Sequence, residues 1–266
     1  LSLDEPQVMG ILNVTPDSFY AGSRKQTEAA IIDRIETILR EGASIIDVGG
    51  YSSRPDAAEV SETEEMQRLE MALQPLLQHY PDVVVSVDTF RSSVARQCVE
   101  KYGVSMINDI SGGELDERMF DTVAQLRVPY IMMHMRGTPQ TMQQQTDYED
   151  VTADLLKYFS QKLERLFRLG VNDVILDPGF GFSKTLTQNY ELMRHLGDFR
   201  IFGLPLLVGV SRKSMIYKLL ETTPEESLNG TTVLHTYALL QGADILRVHD
   251  VRAAKEAIRI VQQLKG

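Results

Sequence analysis

The chain has 266 residues, of which 43% are hydrophobic and 24% are charged, the balance of an ordinary soluble globular protein. This length fits one large barrel or two small domains. The net charge of -10 excludes the large basic surface that wrapping a nucleic acid requires, so we expect no nucleic-acid partner.

The chain's single cysteine indicates the cellular compartment. Cys98 has no second cysteine with which to form an intramolecular disulfide, so we expect a cytoplasmic protein. The longest apolar runs, such as residues 205–210, have the length of a strand and are far too short to cross a membrane. The first residues, LSLDEPQ, lack the basic start and apolar core of a signal peptide. We therefore expect no membrane partner.

Short apolar runs alternate with longer stretches of helical spacing, and the pair recurs eight times. The predicted strands cover residues 8–14, 44–50, 83–89, 105–110, 129–135, 174–179, 205–211 and 244–250. The predicted helices lie near residues 27–42, 61–79, 91–102, 116–127, 148–169, 187–197, 226–241 and 252–264. Four glycines stand between a helix and a strand, where a left-handed helix cap belongs: Gly42, Gly103, Gly170 and Gly242.

This alternation predicts an α/β fold. Several strands are apolar on both of their faces, as strands buried on both sides should be. Eight strand–helix units without a Gly/Ser linker predict a single-domain (β/α)8 TIM barrel over residues 1–266. An open doubly wound sheet is the alternative, although the first strand leads into Asn-Val-Thr-Pro and not into a Gly-rich dinucleotide loop.

Every predicted strand ends in polar or charged residues, and in a barrel these ends converge on the face where active sites lie. The residues are Asn13, Asp47, Asp88, Asn108, Asp109, His134, Asp177, Ser211, Arg247, His249 and Asp250. A single polar strand end is commonly a helix cap, but eight in eight strands predict a site.

The residue types indicate what that site binds. A group of cations from strand ends and loops suits a phosphate or diphosphate: Arg54, Lys213, Arg247 and His249. A group of amides and carboxylates suits a flat heterocycle with several N–H donors: Asn13, Asp88, Asn108 and Asp177. The chain has no HExxH, CxxC, GxSxG or P-loop pattern. The residues alone thus predict an enzyme of a phosphate-carrying small molecule.

Several motifs resemble those of the dihydropteroate synthase family, in order and over roughly residues 6–264. They are MGILNVTPDSF (9–19), GGYSSRP (49–55), INDISG (107–112), MHMRGTPQTMQ (133–143), DPGFGF (177–182), SRKS (211–214) and RVHDV (247–251). Any one of them alone is a weak signal, but this many in the right order are specific.

The resemblance implies a reaction. The family condenses 6-hydroxymethyl-7,8-dihydropterin diphosphate with p-aminobenzoate to give 7,8-dihydropteroate and diphosphate in folate biosynthesis. The implied mechanism is dissociative (SN1-like): diphosphate departs first, assisted by Mg²⁺, and the aniline nitrogen attacks the pterin methylene cation. Sulfonamides are expected to bind as mimics of p-aminobenzoate, and the chain is expected to form a homodimer.

The resemblance also implies roles for particular residues. The pterin is expected to contact Asp88, Asn108, Ile110, Met133, Asp177, Lys213 and Arg247. The diphosphate is expected to contact Asn13, Ser53, Arg247 and His249, with Asn13 also binding the Mg²⁺. The p-aminobenzoate is expected to contact Phe19, Arg54, Pro55, Phe182, Lys213 and Ser214. The catalytic residues are expected to be Asp88, Lys213 and Arg247.

Among the positions that depart from the family's pattern, two bear on the loops over the site. Tyr51 stands where Glu or Gln is usual, and Ala21 stands where an acidic residue is usual. Both bear on how the loops close over the site and leave the predicted fold unchanged.

Two alternatives stay open. One is a methyltetrahydrofolate:corrinoid methyltransferase domain, another pterin-binding barrel, although the SRKS and NVTPDSF motifs disfavour it. The other is a catalytically silent paralogue that binds pterin. Among the remaining strand-end residues, Asp47, Asp109 and His134 are expected to have structural roles.

Overall fold

The computed structural model of the chain describes residues 2–14, 24–53 and 59–265, with the side chains of residues 24–27 excepted. Four positions singled out in the sequence lie outside the described residues: Phe19, Ala21, Arg54 and Pro55.

Eight parallel strands form one sheet, in the order β6-β5-β4-β3-β2-β1-β8-β7. The strands are β1 (Gln7–Asn13), β2 (Ile45–Gly49), β3 (Val84–Asp88), β4 (Met106–Asp109), β5 (Tyr130–Met133), β6 (Val174–Asp177), β7 (Leu207–Val208) and β8 (Ile245–Val248). A parallel bridge between Leu176 and Leu206 joins the two ends of this order and closes the barrel. The predicted (β/α)8 barrel is confirmed, and the open doubly wound sheet is wrong.

Helices alternate with these strands. They are α1 (Arg24–Arg40), α2 (Glu62–His79), α3 (Ser92–Tyr102), α4 (Met119–Leu126), α5 (Val151–Arg168), α6 (Leu186–Arg194), α7 (Ser214–Tyr217), α8 (Leu228–Leu240) and α9 (Val251–Lys265). Two 3-10 helices cover Met142–Gln144 and Leu196–Phe202. The sequence did not predict the one-turn helix α7, because four residues are too few to show a helical period.

The helix ends follow from local sequence. The side chains of Ser61 and Asp150 accept hydrogen bonds from backbone N–H groups in the first turns of α2 and α5, and Thr185 forms a capping box with Gln188 at α6. The four predicted cap glycines all have positive φ: Gly42 (98°), Gly103 (67°), Gly170 (81°) and Gly242 (99°). Glycine adopts this conformation without steric cost, so these helices stop where the sequence places it.

The strands bury both of their faces. The outward faces pack with the helices in one large core, to which α9 contributes Ala254, Ala257, Ile258 and Val261, the face predicted from its spacing. The inward faces form a separate layer in the lower half of the barrel. This inner apolar layer consists of Met9, Ile45, Met106, Ile131, Ile175, Leu207 and Ile245. It closes the barrel below, so the space for a ligand lies towards the carboxyl ends of the strands.

Within the described ranges, no helix combines the length and the apolar character needed to cross a membrane.

Candidate active site

A polar layer lies directly above the inner apolar layer. Side chains on a strand point to the same face every second residue, so the residues two positions beyond Ile45, Met106, Ile175 and Ile245 also face the barrel interior. Those residues form the polar layer: Asp47, Asn108, Asp177 and Arg247. The change from apolar to polar therefore happens within a single step of the strand period.

Arg247 connects this layer. Its Nε donates to Asp47 Oδ2 at 2.7 Å, and its Nη2 donates to Asp88 Oδ2 at 2.8 Å. Asn108 Nδ2 donates to the same oxygen of Asp47 at 3.1 Å. Asp47 is fully buried, and its Oδ1 has no hydrogen-bond partner among the described residues. Its expected structural role is thus pairing with a cation, directly beneath the site.

Strand register extends the polar layer sideways from Asn108 to Asn13. Asn13 pairs with Gly49, Gly49 with Asp88, and Asp88 with Asn108, across four neighbouring strands. A Cβ on Gly49 would lie only 3.2 Å from Asn13 Oδ1 and 3.7 Å from the Cβ of Asp88. The glycine in the middle of the row therefore makes room for the amide oxygen of Asn13 beside Asp88.

Burial shifts the pKa values of these groups. Desolvation raises the pKa of Asp88 to about 7; the charge of Arg247 opposes this rise, and the charge of Asp47 adds to it. Desolvation also raises the pKa of Asp177, against the opposing charge of Lys213. Carboxylates with raised pKa values in a cleft are typical of functional sites.

Lys213 reaches the site from the loop after β7. Its Nζ donates to Phe180 O at 2.5 Å and lies 4.7 Å from the ring centre of Phe182. Desolvation lowers its pKa to about 8; the charge of Asp177 opposes this shift and that of Arg247 reinforces it. The side chain is partly buried between the loops after β6 and β7, and α7 begins at the next residue, Ser214.

An apolar wall lines the mouth of the barrel beside Lys213. A cluster of four buried residues consists of Ile110, Met133, Met135 and Met142. Phe90, Leu115 and Phe182 pack against it. The expected pterin-contact residues Ile110 and Met133 thus share one surface with Phe182. Phe90, which follows β3, was missed, because an aromatic residue in a loop has no sequence signal that separates a wall from core packing.

His249 and Ser53 are the remaining expected diphosphate contacts within the described residues. His249 is exposed; its Nδ1 lies 3.1 Å from Ser211 Oγ, and its backbone oxygen accepts from Arg34 Nη2 at 2.8 Å. Ser53 is partly buried four residues after β2 ends at Gly49.

Other strand-end residues hold the loops, as expected. Asp109 accepts hydrogen bonds from the backbone of Ser111 and Gly113 and from Tyr130 Oη. Arg212 donates to both carboxylate oxygens of Asp250 at 2.8 Å and so connects the loops after β7 and β8. Such two-pronged pairs fix geometry as well as charge.

Tyr51, one of the departures from the family's pattern, connects two loops. Its ring packs edge-on against Phe90 with 5.1 Å between centres, and the guanidinium of Arg91 lies 5.5 Å from its ring centre. Its hydroxyl accepts a hydrogen bond from Gln140 Nε2 at 3.1 Å. The loop after β2 and the loop after β5 therefore meet through this side chain.

Comparisons with known proteins agree with this fold. The model of the pterin binding enzyme family matches residues 9–249. The chain is 44% identical to the dihydropteroate synthase of Escherichia coli (strain K12) over 264 residues, 98% of this chain and 93% of the relative. A crystal structure of the Yersinia pestis dihydropteroate synthase with a sulfonamide drug complex covers 100% of this chain and 96% of its own, with a TM-score of 0.91 and 42% identity. The Xanthomonas albilineans dihydropteroate synthase with 4-aminobenzoic acid covers 100% and 95%, with a TM-score of 0.91 and 35% identity.

The chain therefore belongs to the pterin-binding enzyme family. Within that family its function is that of the dihydropteroate synthases, which are transferases of the folate pathway, as the sequence predicted.

Proposed function

We propose that the polar layer and the row from Asn108 to Asn13 bind 6-hydroxymethyl-7,8-dihydropterin diphosphate, and that p-aminobenzoate binds further out, against Phe182 and Lys213. The observation that carries this proposal is the hydrogen-bonded group of Arg247, Asp47, Asp88 and Asn108 at the closed end of the barrel mouth.

The pterin subsite follows from donor and acceptor chemistry. A dihydropterin has an amino-pyrimidinone edge that donates and accepts hydrogen bonds, and Asp177 and Asn108 provide carboxylate and amide partners on β6 and β4. The apolar side chains of Ile110 and Met133 suit the faces of a flat ring. Buried polar groups discriminate strongly because a ligand without matching groups leaves them unpaired.

The diphosphate subsite lies towards Asn13 and His249. Arginine has five N–H donors, and the two bonds to Asp47 and Asp88 leave others for a phosphate oxygen. The Arg247 guanidinium would stabilise the negative charge that grows on the departing diphosphate, whereas desolvation lowers the pKa of His249 to about 4, so its neutral ring would contribute a hydrogen bond. Ser53 is proposed to add a hydroxyl donor from the loop after β2.

The residues at this subsite fit Mg²⁺. This ion keeps several waters and takes one or two protein oxygens plus substrate phosphates, so the amide oxygen of Asn13 beside Gly49 and Asp88 is a sufficient protein ligand. Among the described residues, no group of three His, Cys, Asp or Glu side chains could form an all-protein metal site. When bound, the ion would neutralise charge on the diphosphate oxygens.

We propose p-aminobenzoate binding between Phe182, Lys213 and Ser214, completed by Phe19, Arg54 and Pro55. The ammonium of Lys213 and the ring of Phe182 lie 4.7 Å apart, which suits an aromatic carboxylate that presents both a ring and a charge. A sulfonamide of the same shape would bind there in competition.

The proposed chemistry is dissociative. Loss of diphosphate leaves positive charge on the pterin methylene, and Asp88, when ionised, places a fixed negative charge beside the ring. The amine of p-aminobenzoate then attacks the methylene carbon and loses a proton. Arg247 holds Asp88 in place through its Nη2 hydrogen bond.

The test is diphosphate release from dihydropterin diphosphate and Mg²⁺, with and without p-aminobenzoate. We expect turnover that needs p-aminobenzoate and falls by at least a hundred-fold in Lys213→Ala. Lys101→Ala, which removes an exposed surface ammonium paired with Glu70, should behave as the unchanged protein. A folded protein that binds pterin without turnover would instead be the silent paralogue.

A second test addresses the order of steps. Substrate carrying ¹⁸O in the bridge between methylene and diphosphate should scramble its label without p-aminobenzoate, because a reversibly formed diphosphate can rotate before it recombines. Label that stays in the bridge in the absence of p-aminobenzoate would contradict the dissociative order.

We further propose a homodimer in the cytoplasm, with all of residues 1–266 in one pterin-binding unit per protomer. Val233, Tyr237 and Leu240 are exposed on α8 at the spacing of one helix face. An apolar stripe of this kind suits a second copy of the chain. The lone Cys98 is buried and free, as suits a reducing compartment, and cell fractionation would test that location.

A further inference from the structure

Lys184 is fully enclosed and takes no part in the chemistry derived above. Its side chain is buried, with 3% of the residue exposed, two residues after DPGFGF. Its Nζ donates to the backbone oxygens of Gly179 (3.0 Å) and Phe182 (2.9 Å), and lies 3.1 Å from His134 Nδ1. A buried lysine is rare, and one whose hydrogen-bond partners are all uncharged is a costly arrangement that calls for a function.

The partners of Lys184 come from the segments that follow two neighbouring strands, β5 and β6. His134 follows the end of β5, and Gly179 and Phe182 belong to the loop after β6. The ring of His134 is itself fixed, because it packs edge-on against Tyr158 with 4.8 Å between centres. One nitrogen therefore fastens two points of the loop of residues 178–183, Gly179 and Phe182, to a rigid neighbour.

That loop presents the two groups with which Lys213 interacts. Phe180 O accepts from Lys213 Nζ at 2.5 Å, and the ring of Phe182 lies 4.7 Å from the same atom. Two different lysines therefore contact this loop: Lys184 holds its backbone, and Lys213 lies against Phe180 O and the Phe182 ring. Movement of the loop would displace the Lys213 ammonium and the aromatic wall together.

We propose that Lys184 is a positioning residue for the second-substrate subsite: it holds the loop of residues 178–183 so that Lys213 and Phe182 are placed for p-aminobenzoate. This proposal rests on the proposed function of that subsite. Burial lowers the pKa of Lys184 well below its usual value; the charge of Asp177 opposes this shift, and those of Lys213 and Arg136 reinforce it. A group of reduced charge can remain buried here without a carboxylate partner.

The proposal predicts a split between the two substrates. Lys184→Met removes all three polar contacts and keeps the length of the side chain. We expect the KM for p-aminobenzoate to rise at least ten-fold, while the Kd for dihydropterin diphosphate changes less than three-fold, because Asp88, Asn108 and Asp177 lie on strands β3, β4 and β6 and not in the loop. Lys101→Met is the matched control and should leave both constants unchanged. A parallel change in both constants, or no change in either, would overturn the proposal.

Hydrogen exchange in the ligand-free protein provides a readout that does not need turnover. The amides of Gly179, Gly181 and Phe182 donate to Asp177 Oδ1, Asn189 Oδ1 and Gly179 O. In Lys184→Met a peptide covering residues 178–183 should exchange at least ten-fold faster, and one covering α3 should not change. Unchanged exchange in 178–183 would sink the proposal even if the protein is inactive, whereas an inactive unsubstituted protein would sink only the proposed function.

A milder variant guards against misfolding. His134→Gln removes the imidazole but leaves the two carbonyl partners of Lys184 in place. We expect the same split in smaller measure, about three-fold in the KM for p-aminobenzoate. If Lys184→Met does not fold and His134→Gln shows no split, Lys184 has only a structural role.

Discussion

At the scale of residues, most of the candidate site could be predicted from the positions of polar residues at strand ends. Asp47, Asn108, Asp177 and Arg247 could be placed on one surface because parallel strand ends meet at one face of a barrel, and the structure brings them together. Lys184 could not be found in this way, because its burial depends on the path of the loop after β6. Its only sequence signal is its place two residues after a motif.

Tyr51 gives a test at this scale. Tyr51→Phe removes the hydroxyl that accepts from Gln140 and keeps the ring on Phe90. Such a hydrogen bond contributes about 0.5–1.5 kcal/mol, so we expect the KM for p-aminobenzoate to rise about two- to ten-fold with kcat little changed. Steady-state kinetics would measure this, with Tyr80→Phe as the control, because the partly buried Tyr80 donates its hydroxyl to Glu36 far from the site. An unchanged KM would show that the contact between the loops does not affect the site.

The pKa values predict how activity depends on pH. Asp88 is ionised mainly above pH 7, and Lys213 is protonated mainly below pH 8, so both are charged in the interval between about 7 and 8. We expect a bell-shaped pH profile of kcat/KM that peaks there, since this ratio reports the free enzyme. Lys213→Arg keeps a charge at high pH, and its residual activity should lose the alkaline limb. If that limb persists, it belongs to another group.

At the scale of elements, short apolar runs predicted the strands, and four glycines predicted the ends of α1, α3, α5 and α8. The predicted helix at 187–197 ends as α-helix at Arg194 and continues as a 3-10 helix, a distinction that apolar spacing cannot make over one turn. Strand β7 has only two residues and is followed by Gly209. Its connection to β6 is a single bridge, between Leu206 and Leu176.

Two glycines with positive φ distinguish the cost of backbone strain from the cost of a steric clash. Gly103 has φ of 67° and open space around a would-be Cβ, so Gly103→Ala should cost about 1 kcal/mol of unfolding free energy. Gly179 has φ of 72°, and a Cβ would lie 2.1 Å from the backbone oxygen of His134. Gly179→Ala should therefore cost about 4 kcal/mol or more. Urea unfolding of both variants would measure the difference, and equal costs would contradict the close approach of these two loops.

At the scale of the whole molecule, the closed barrel sets the direction of the site. The inner apolar layer blocks the lower half, and the polar layer opens only towards the carboxyl ends of the strands. The sequence predicted this architecture because eight repeated units leave few alternatives. The sequence did not predict which surface joins the protomers, because the exposed apolar stripe on α8 is recognisable only once the chain is folded.

The proposed dimer is tested on α8. A variant with both Val233→Glu and Leu240→Glu places two charges on the exposed stripe without touching the core, and sedimentation should show a monomer. Gln97→Glu, at an exposed position on α3 across the barrel, should leave the assembly unchanged. A double variant that sediments as the unsubstituted protein would exclude α8 from the interface.

The central claim is that the polar layer of the barrel holds the pterin, and a calorimetric titration with dihydropterin diphosphate tests it most directly. Asp177→Asn keeps the shape of a side chain whose Oδ1 accepts from Gly179 N at 2.8 Å. Asp244→Asn is the matched control, because its Oδ2 accepts from Leu206 N at the same distance at the opposite end of the barrel. Loss of a charged acceptor costs about 1.5–3 kcal/mol, so Asp177→Asn should bind the pterin at least ten-fold more weakly, and Asp244→Asn should bind it as the unsubstituted protein does. Equal affinities for all three proteins would place the pterin elsewhere and contradict the account.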